Sequence, residues 1–185
     1  MKIALDLDRT LVDWINSPEK IVAARLGVKE PKRHDYFYKG IDLEFRAEIF
    51  KLFEDPEFMA MSNLTYDVKD KLAIKKWKES GHTLYIITSR GKNKELITVT
   101  RDLVNEWFPE IDRLIITKSG VDKIKHFKNL KLDFWIDDHP DITYSAHDLG
   151  INAYLIDKHY NRDPFFDILP KIGSVYELLD RGIIR

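Results

Sequence analysis

Hydrophobic residues along the chain fall into short continuous runs separated by longer segments with helical spacing. Residues 2–7 (KIALDL) read as a buried strand that ends in acid, and 83–88 (TLYIIT) is the clearest strand of all, β-branched and aromatic after Gly81. Residues 114–117 (LIIT), 134–136 (FWI) and 153–156 (AYLI) complete a set of five. All are short and apolar throughout, as strands covered on both faces are. Between them, 68–80 carries Val68, Leu72, Ile74 and Trp77 and closes at Gly81, a natural C-terminal cap. Residues 96–108 place Leu96, Val99, Leu103, Val104 and Trp107 on one side before Pro109, and 122–130, 142–149 and 173–179 are shorter helical candidates. Strand then helix, repeated, predicts a Rossmann-like, three-layer, doubly wound parallel α/β sheet with right-handed crossovers.

Residues 13–65 break the rhythm. They are far too long for a βα loop and read as a small, mainly helical cap inserted after the first strand, with 1–12 and 66–185 forming the core domain. Phe45, Phe50 and Phe53 are expected to form the cap's own core, while Tyr36, Phe37 and Tyr38 are consecutive and cannot all face it, which leaves some of them to stack a nucleobase.

Composition narrows the function. The 185 residues are 44% hydrophobic and 33% charged, which is globular rather than disordered. No apolar run reaches the ~20 residues of a membrane span, so no membrane role is expected. The first residues lead straight into a charged strand rather than a secretory signal, and with zero cysteines a cytoplasmic location is the expectation. Thirty basic residues balance 31 acidic ones, so no stable nucleic-acid partner is expected. The absence of cysteine also removes thiolate metal sites and a Cys nucleophile, and His34, His126, His139 and His147 are too scattered for zinc. GxxxxGK[ST] and GxSxG are both missing, against a P-loop kinase and a serine hydrolase.

Open α/β sheets bind ligands beyond the carboxyl ends of their strands. There this chain has Asp6, Asp8 and Thr10; Thr88, Ser89 and Arg90; Thr117, Lys118 and Lys123; and Asp137, Asp138 and Asp141. Converging carboxylates repel unless a cation relieves them, and an all-oxygen set suits Mg²⁺. The basic and hydroxyl groups suit the oxygens of a phosphate. One carboxylate could attack phosphorus while another handles the proton.

Asp6-Leu7-Asp8-Arg9-Thr10-Leu11, the hydroxyl closing Tyr85-Ile86-Ile87-Thr88, a later lysine and Trp135-Ile136-Asp137-Asp138, in this order, resemble the four motifs of the haloacid dehalogenase (HAD) superfamily, with Ile87-Thr88-Ser89-Arg90, Asp122-Lys123 and Ile136-Asp137-Asp138-His139-Pro140-Asp141 as the more local pattern. The local pattern is similar to its 5'(3')-deoxyribonucleotidase-like branch. The resemblance implies Asp6 as nucleophile and Mg²⁺ ligand, and Asp8 as general acid/base with its backbone carbonyl on the metal. It implies Lys123 as the cation beside the aspartyl-phosphate, and Thr88 and Ser89 as phosphoryl ligands. Asp137 and Asp138 would complete the metal shell, and Thr10 and Arg90 join the substrate-binding candidates. Arg90 could equally pair with an acid at the sheet edge, Lys118 and Lys125 rival Lys123, and Asp141 either stands behind the metal ligands or is the first-turn acid of the next helix. Arg9 stands where many members have Gly. The function implied is a phosphatase of small phosphomonoesters, with a nucleoside monophosphate as the favoured substrate. The alternatives are sugar phosphates or nucleic-acid ends, and, in another class, a receiver-like or non-catalytic phosphate-binding domain.

Overall fold

A computed structural model of the chain describes residues 1–14, 17–33, 35–36, 38–61 and 67–185. His34, Phe37 and the expected 65/66 boundary lie outside the described residues. The elements run β1 (Lys2–Leu5), α1 (Pro18–Leu26), α2 (Leu43–Glu54), α3 (Pro56–Ala60), α4 (Val68–Glu79), β2 (Thr83–Thr88), α5 (Lys94–Trp107) and β3 (Arg113–Ile116). They continue with α6 (Gly120–Leu130), β4 (Phe134–Asp137), α7 (Pro140–Asp148), β5 (Asn152–Ile156), β6 (Lys171–Ile172) and α8 (Tyr176–Asp180). The strands form one sheet in the order β3-β2-β1-β4-β5-β6, with every pairing parallel. This is the doubly wound α/β architecture that the alternation predicts, with one strand more than expected. β6 escapes detection because it is only Lys171–Ile172, too short for a hydrophobic period to show.

Strand alternation divides the core into two layers. Ile3, Leu5, Leu84, Ile86 and Ile136 pack with Trp77 of α4, Leu103 of α5 and Leu178 of α8. Ala4, Tyr85, Ile87 and Trp135 pack with Phe127 of α6 and Ile142 of α7. The apolar face of α4 differs from the expected one: Val68 and Leu72 are exposed, and the helix buries Ala73, Ile74 and Trp77 together with Asp70. Four-residue spacing from Ala73 to Trp77 gives the true inward stripe, and the Trp77 indole N–H donates to the Ile184 carbonyl (3.1 Å).

Helices α1, α2 and α3 lie between β1 and α4 and build a third cluster from Trp14, Val22, Phe45, Ile49, Leu52 and Phe58, closed on the sheet side by Leu96 of α5. Ser17, Asp42 and Asp55 cap the three helices by accepting backbone amides of the first turns. Of the three phenylalanines expected in this cluster, Phe45 is buried and Phe53 packs against it, but Phe50 is 44% exposed. Among the described residues no helix is long and apolar enough to cross a membrane.

Candidate active site

The connection leaving β1 covers one face of the sheet and the connection leaving β4 covers the other, so these neighbouring strands form a topological switch point with a crevice at their tips. The ladder continues one residue past β1, where the Asp6 amide donates to the Ile136 carbonyl (2.9 Å). Ile3, Leu5 and Leu7 share one face, which puts Asp6 on the face of Ala4, just as Asp137 shares that of Trp135. The chain then turns tightly: the Leu11 and Val12 amides donate to the Leu7 carbonyl, and the Arg9 amide donates to the Val12 carbonyl (2.6 Å). Arg9 sits at φ 60°, the left-handed region that glycine occupies without cost. Its conformation accounts for glycine at this place in the resembling motif.

Lys123, on the first turn of α6, reaches the strand tips. Its Nζ lies 2.7 Å from Asp6 Oδ1 and 3.2 Å from Asp137 Oδ2, with all three side chains buried. Its rivals do not converge there: Lys118 is exposed and Lys125 pairs with Asp122 at the surface. The His139 amide donates to Asp137 Oδ1 (2.9 Å). The Tyr160 hydroxyl donates to Asp138 Oδ2 (2.6 Å), and Asn161 Nδ2 bridges the carbonyls of Asp138 and Ile156. Asp141 is exposed in the first turn of α7, so of its two expected places it takes the helix-start one.

Asp6, Asp137 and Asp138 each offer a carboxylate oxygen within 4.8 Å of the others. Burial raises the proton affinity of all three. Asp6 is pushed up to about 6, mainly by burial, with Lys123 opposing and Asp8 and Asp138 reinforcing. Asp137 is raised well above the ordinary range by burial, against the pull of Lys123, and Asp138 is raised by burial, against Arg9 and the Tyr160 hydrogen bond. Lys123 is held charged despite burial, because Asp137 and Asp6 outweigh the loss of water. The three buried carboxylates have one ammonium in direct contact, with Arg9 also drawn to Asp138. That donor set, oxygen-only and convergent, fits a hard divalent cation such as Mg²⁺.

Asp8 is absent from this cluster. Its carboxylate is gripped by Arg90 at the end of β2, with Nη2 2.5 Å from Oδ1 and Nε 3.0 Å from Oδ2. Of the two partners the sequence allows for Arg90, the described contacts show the acid. The loop carrying Arg90 is held against β3 by close backbone approach: the Gly91 amide donates to the Thr117 carbonyl (2.9 Å), and a Cβ on Gly91 would lie 2.5 Å from that oxygen. Thr88 is fully buried and its hydroxyl has no hydrogen-bond partner among the described residues, while Ser89 lines the cavity beside Asp8. Thr10 also has an unpartnered hydroxyl, but it lines a second hollow with Asp70, Lys158 and Ser174 rather than the cavity of Asp8 and Ser89.

That cavity, of about 260 Å³, is walled on its other sides by the segment after β1. The Arg9 guanidinium lies over Trp14 (5.6 Å) and Tyr160 (5.0 Å), and that of Arg33 over Tyr160 (3.7 Å) and Tyr38 (4.3 Å). The carboxylate of Glu19 accepts from the Tyr38 hydroxyl (2.6 Å) and faces both arginines, at 3.5 and 3.7 Å. Tyr36 packs on the His139 ring, with centroids 3.9 Å apart. Burial, aided by the Lys123 charge, drives the His139 ring down to about 3, so it is neutral. Arg33, Tyr160 and Glu19 are residues that the sequence reading does not single out. Tyr160 and Asn161 follow the tip of β5, so the strand-end rule reaches them when extended to the fifth strand. Arg33 stands in the short basic run Lys32-Arg33 after Pro31, and nothing local marks Glu19.

The fold defines the class, a Rossmann-like α/β chain, and solved structures of several proteins share it. A phosphatase from Haemophilus somnus described as "a predicted phosphoglycolate phosphatase" superposes with a TM-score of 0.62 at 11% identity over 97% of this chain and 96% of its own. The archaeal beta-phosphoglucomutase of Pyrococcus sp. strain ST 04 gives 0.59 at 15% over 98% and 96%. A HAD-superfamily hydrolase from Ehrlichia chaffeensis gives 0.56 at 15% over 99% and 95%. In sequence, the chain is 25% identical over 192 aligned positions, 97% of each chain, to a Bacillus cereus protein named "Putative nucleotidase". No protein-family model matches the chain.

Proposed function

We propose that the chain is a Mg²⁺-dependent phosphatase of small phosphomonoesters that works through an aspartyl-phosphate on Asp6. The observation that carries this is the Asp6 carboxylate held between Lys123 and the Asp137–Asp138 pair, with a second aspartate, Asp8, two residues on and facing the adjoining cavity. Asp6 attacks phosphorus and the ester oxygen leaves, so a P–O bond forms to the carboxylate as the P–O bond to the alcohol breaks. Lys123 balances the charge on the attacking carboxylate, and the unpartnered Thr88 hydroxyl and Ser89 receive phosphoryl oxygens. Arg90 occupies Asp8 before substrate arrives; a phosphate dianion competes for that guanidinium and frees Asp8 to face the leaving oxygen. Freed from Arg90, the Asp8 carboxylate takes up a proton from solvent, gives it to that oxygen, and takes one back from the water that hydrolyses the acyl-phosphate. Asp6, Asp137 and Asp138 would hold the Mg²⁺, which when bound supplies the positive charge that the three carboxylates and the phosphoryl group lack.

Residues 13–65 act as the cap that shapes the cavity over the strand tips, and the location is cytoplasmic, in keeping with zero cysteines. A nucleoside monophosphate is the first substrate reading, supported by the likeness to the Bacillus cereus protein. A sugar phosphate is the second, supported by the arginines that already cover the aromatic faces of the cavity. The test is hydrolysis of p-nitrophenyl phosphate with Mg²⁺, its loss in EDTA, and a fall of about 10⁴ or more in kcat for Asp6→Asn, whose amide cannot form the acyl-phosphate. Retained turnover in Asp6→Asn ends the nucleophile assignment. A panel of nucleoside monophosphates against sugar phosphates decides between the two substrates.

A further inference from the structure

Arg9 is the residue that three hollows have in common: the cavity of Asp8 and Ser89, the hollow of Thr10 and Asp70, and an outer groove of about 850 Å³. The groove is open to solvent, since Lys29, Glu30, Lys32 and His159 on its lining are exposed. It shares Arg9, Trp14 and Arg33 with the cavity, so these three form the partition between the two. Two of them are fixed. Trp14 stacks on Phe58 (5.6 Å, 9° between ring planes) and packs against Phe53, and Arg33 donates from Nε and Nη2 to the carbonyls of Asp35 and Tyr36. Arg9 is held more loosely. Its direct polar contacts among the described residues are Glu19 at 3.5 Å and the Tyr38 hydroxyl at 3.3 Å, and its guanidinium rests on the rings of Trp14, Phe53 and Tyr160. Its backbone is strained at φ 60°, a conformation that glycine adopts without cost, so the turn itself does not need this side chain.

We propose that Arg9 sets the size of the alcohol the enzyme accepts, by closing the end of the cavity that would otherwise run on into the outer groove. This rests on the phosphatase reading and specifies its substrate class: alcohols no longer than one nucleoside, with nucleic-acid ends excluded. Asp8, which faces the leaving oxygen, lines the cavity, so the alcohol projects past Asp8 into it. The cavity's volume of about 260 Å³ lies just below the roughly 300–1,000 Å³ usual for a ligand pocket, so a side chain standing across one end decides how far the alcohol extends. Arg9 is then a specificity residue that acts by exclusion. Its loss favours long alcohols over short ones.

The experiment measures kcat/KM, with Mg²⁺ supplied, on a series of growing length: ribose 5-phosphate, adenosine 5'-monophosphate and the 5'-phosphorylated adenosine dinucleotide. Ratios are taken within one protein, so any effect of a substitution on the shared phosphoryl step cancels. In the wild type, kcat/KM should drop by about tenfold or more at one of the two steps, and that step gives the length limit. Arg9→Gly, which suits the turn, should shrink the drop to less than about threefold, while Arg9→Lys, which keeps a long stem across the opening, should retain most of it. If Arg9→Gly does not fold, Glu19→Gln removes the carboxylate facing Arg9 without touching the turn and should relieve the same step in part. No drop in the wild type overturns the inference, and so does a drop unmoved in the variant that folds. Cleavage of p-nitrophenyl phosphate but of none of the three, in wild type and variant alike, overturns the inference and leaves the phosphatase reading standing. Failure of the wild type to cleave any of the four overturns the phosphatase reading, and this inference with it.

Discussion

At the strand tips Asp6, Asp137 and Asp138 gather around the ammonium of Lys123, whereas in the adjoining cavity the guanidiniums of Arg9 and Arg33 gather around the carboxylate of Glu19. The acidic group is held by strand register and short backbone hydrogen bonds. The basic group is held by aromatic faces and one carboxylate on α1. The two differ in sign: carboxylates outnumber the cation in the first, and guanidiniums outnumber the carboxylate in the second, with Arg9 also drawn to Asp138 between them. Buried charge left uncompensated is expensive, so a site that keeps it is arranged around something that binds.

The largest structural test of this contrast removes the single lysine. Lys123→Met leaves Asp6 and Asp137 buried with no ammonium between them and should cost about 3–5 kcal/mol in urea unfolding without divalent cation. Added Mg²⁺ should restore part of that loss by binding the folded state. A variant as stable as the parent in EDTA would show that the strand-tip charge is already balanced.

A buried acid away from the cavity separates the cost of burial from the chemistry of the site. Asp70 on α4 accepts from the Tyr176 amide (2.7 Å), and burial raises it from 3.8 to about 6. Its folded-state value lies above its unfolded one, so the folded protein binds the extra proton and stability falls as pH rises through about 4 to 6. Two pH units correspond to about 3 kcal/mol. Asp70→Asn keeps an acceptor for Tyr176 and should flatten that part of the stability profile, with the variant more stable than the parent at pH 7. An unchanged slope would mean that Asp70 ionises without penalty.

The smallest effect concerns Arg9. At φ 60° its backbone is strained for any residue with a Cβ, so Arg9→Gly should be more stable than Arg9→Ala by about 1 kcal/mol, a comparison from which the lost guanidinium contacts cancel. Equal stabilities would place the turn outside the left-handed region in solution.

The strand-tip acids were legible because sequence and geometry coincide there: a short apolar run that ends in Asp delivers that Asp to the sheet edge, for Asp6 and for Asp137 alike. Lys123 was legible as a candidate but not as a choice over Lys118 and Lys125, since only the helical phase of α6 separates a buried lysine from its exposed neighbours. Phe50 was assigned to the core of the insert on hydrophobicity alone, and the packing of α2 leaves it at the cavity rim. Thr10 lies two residues after Asp8 in sequence yet lines the hollow of Asp70, Lys158 and Ser174 rather than the cavity of Asp8.

The amino-acid sequence by itself determined the parallel α/β plan and the acidic strand tips, because both depend on residue order over a few positions: apolar runs, helical spacing and the acid that closes a strand. Only the tertiary structure decided that Arg90 grips Asp8, that Tyr160 holds Asp138, and that Arg33 stands over Tyr160 with Glu19 as its sole carboxylate among the described contacts. These pairings join residues far apart in the chain. Their energies depend on distance and on exclusion from water, and neither is set until the chain has folded.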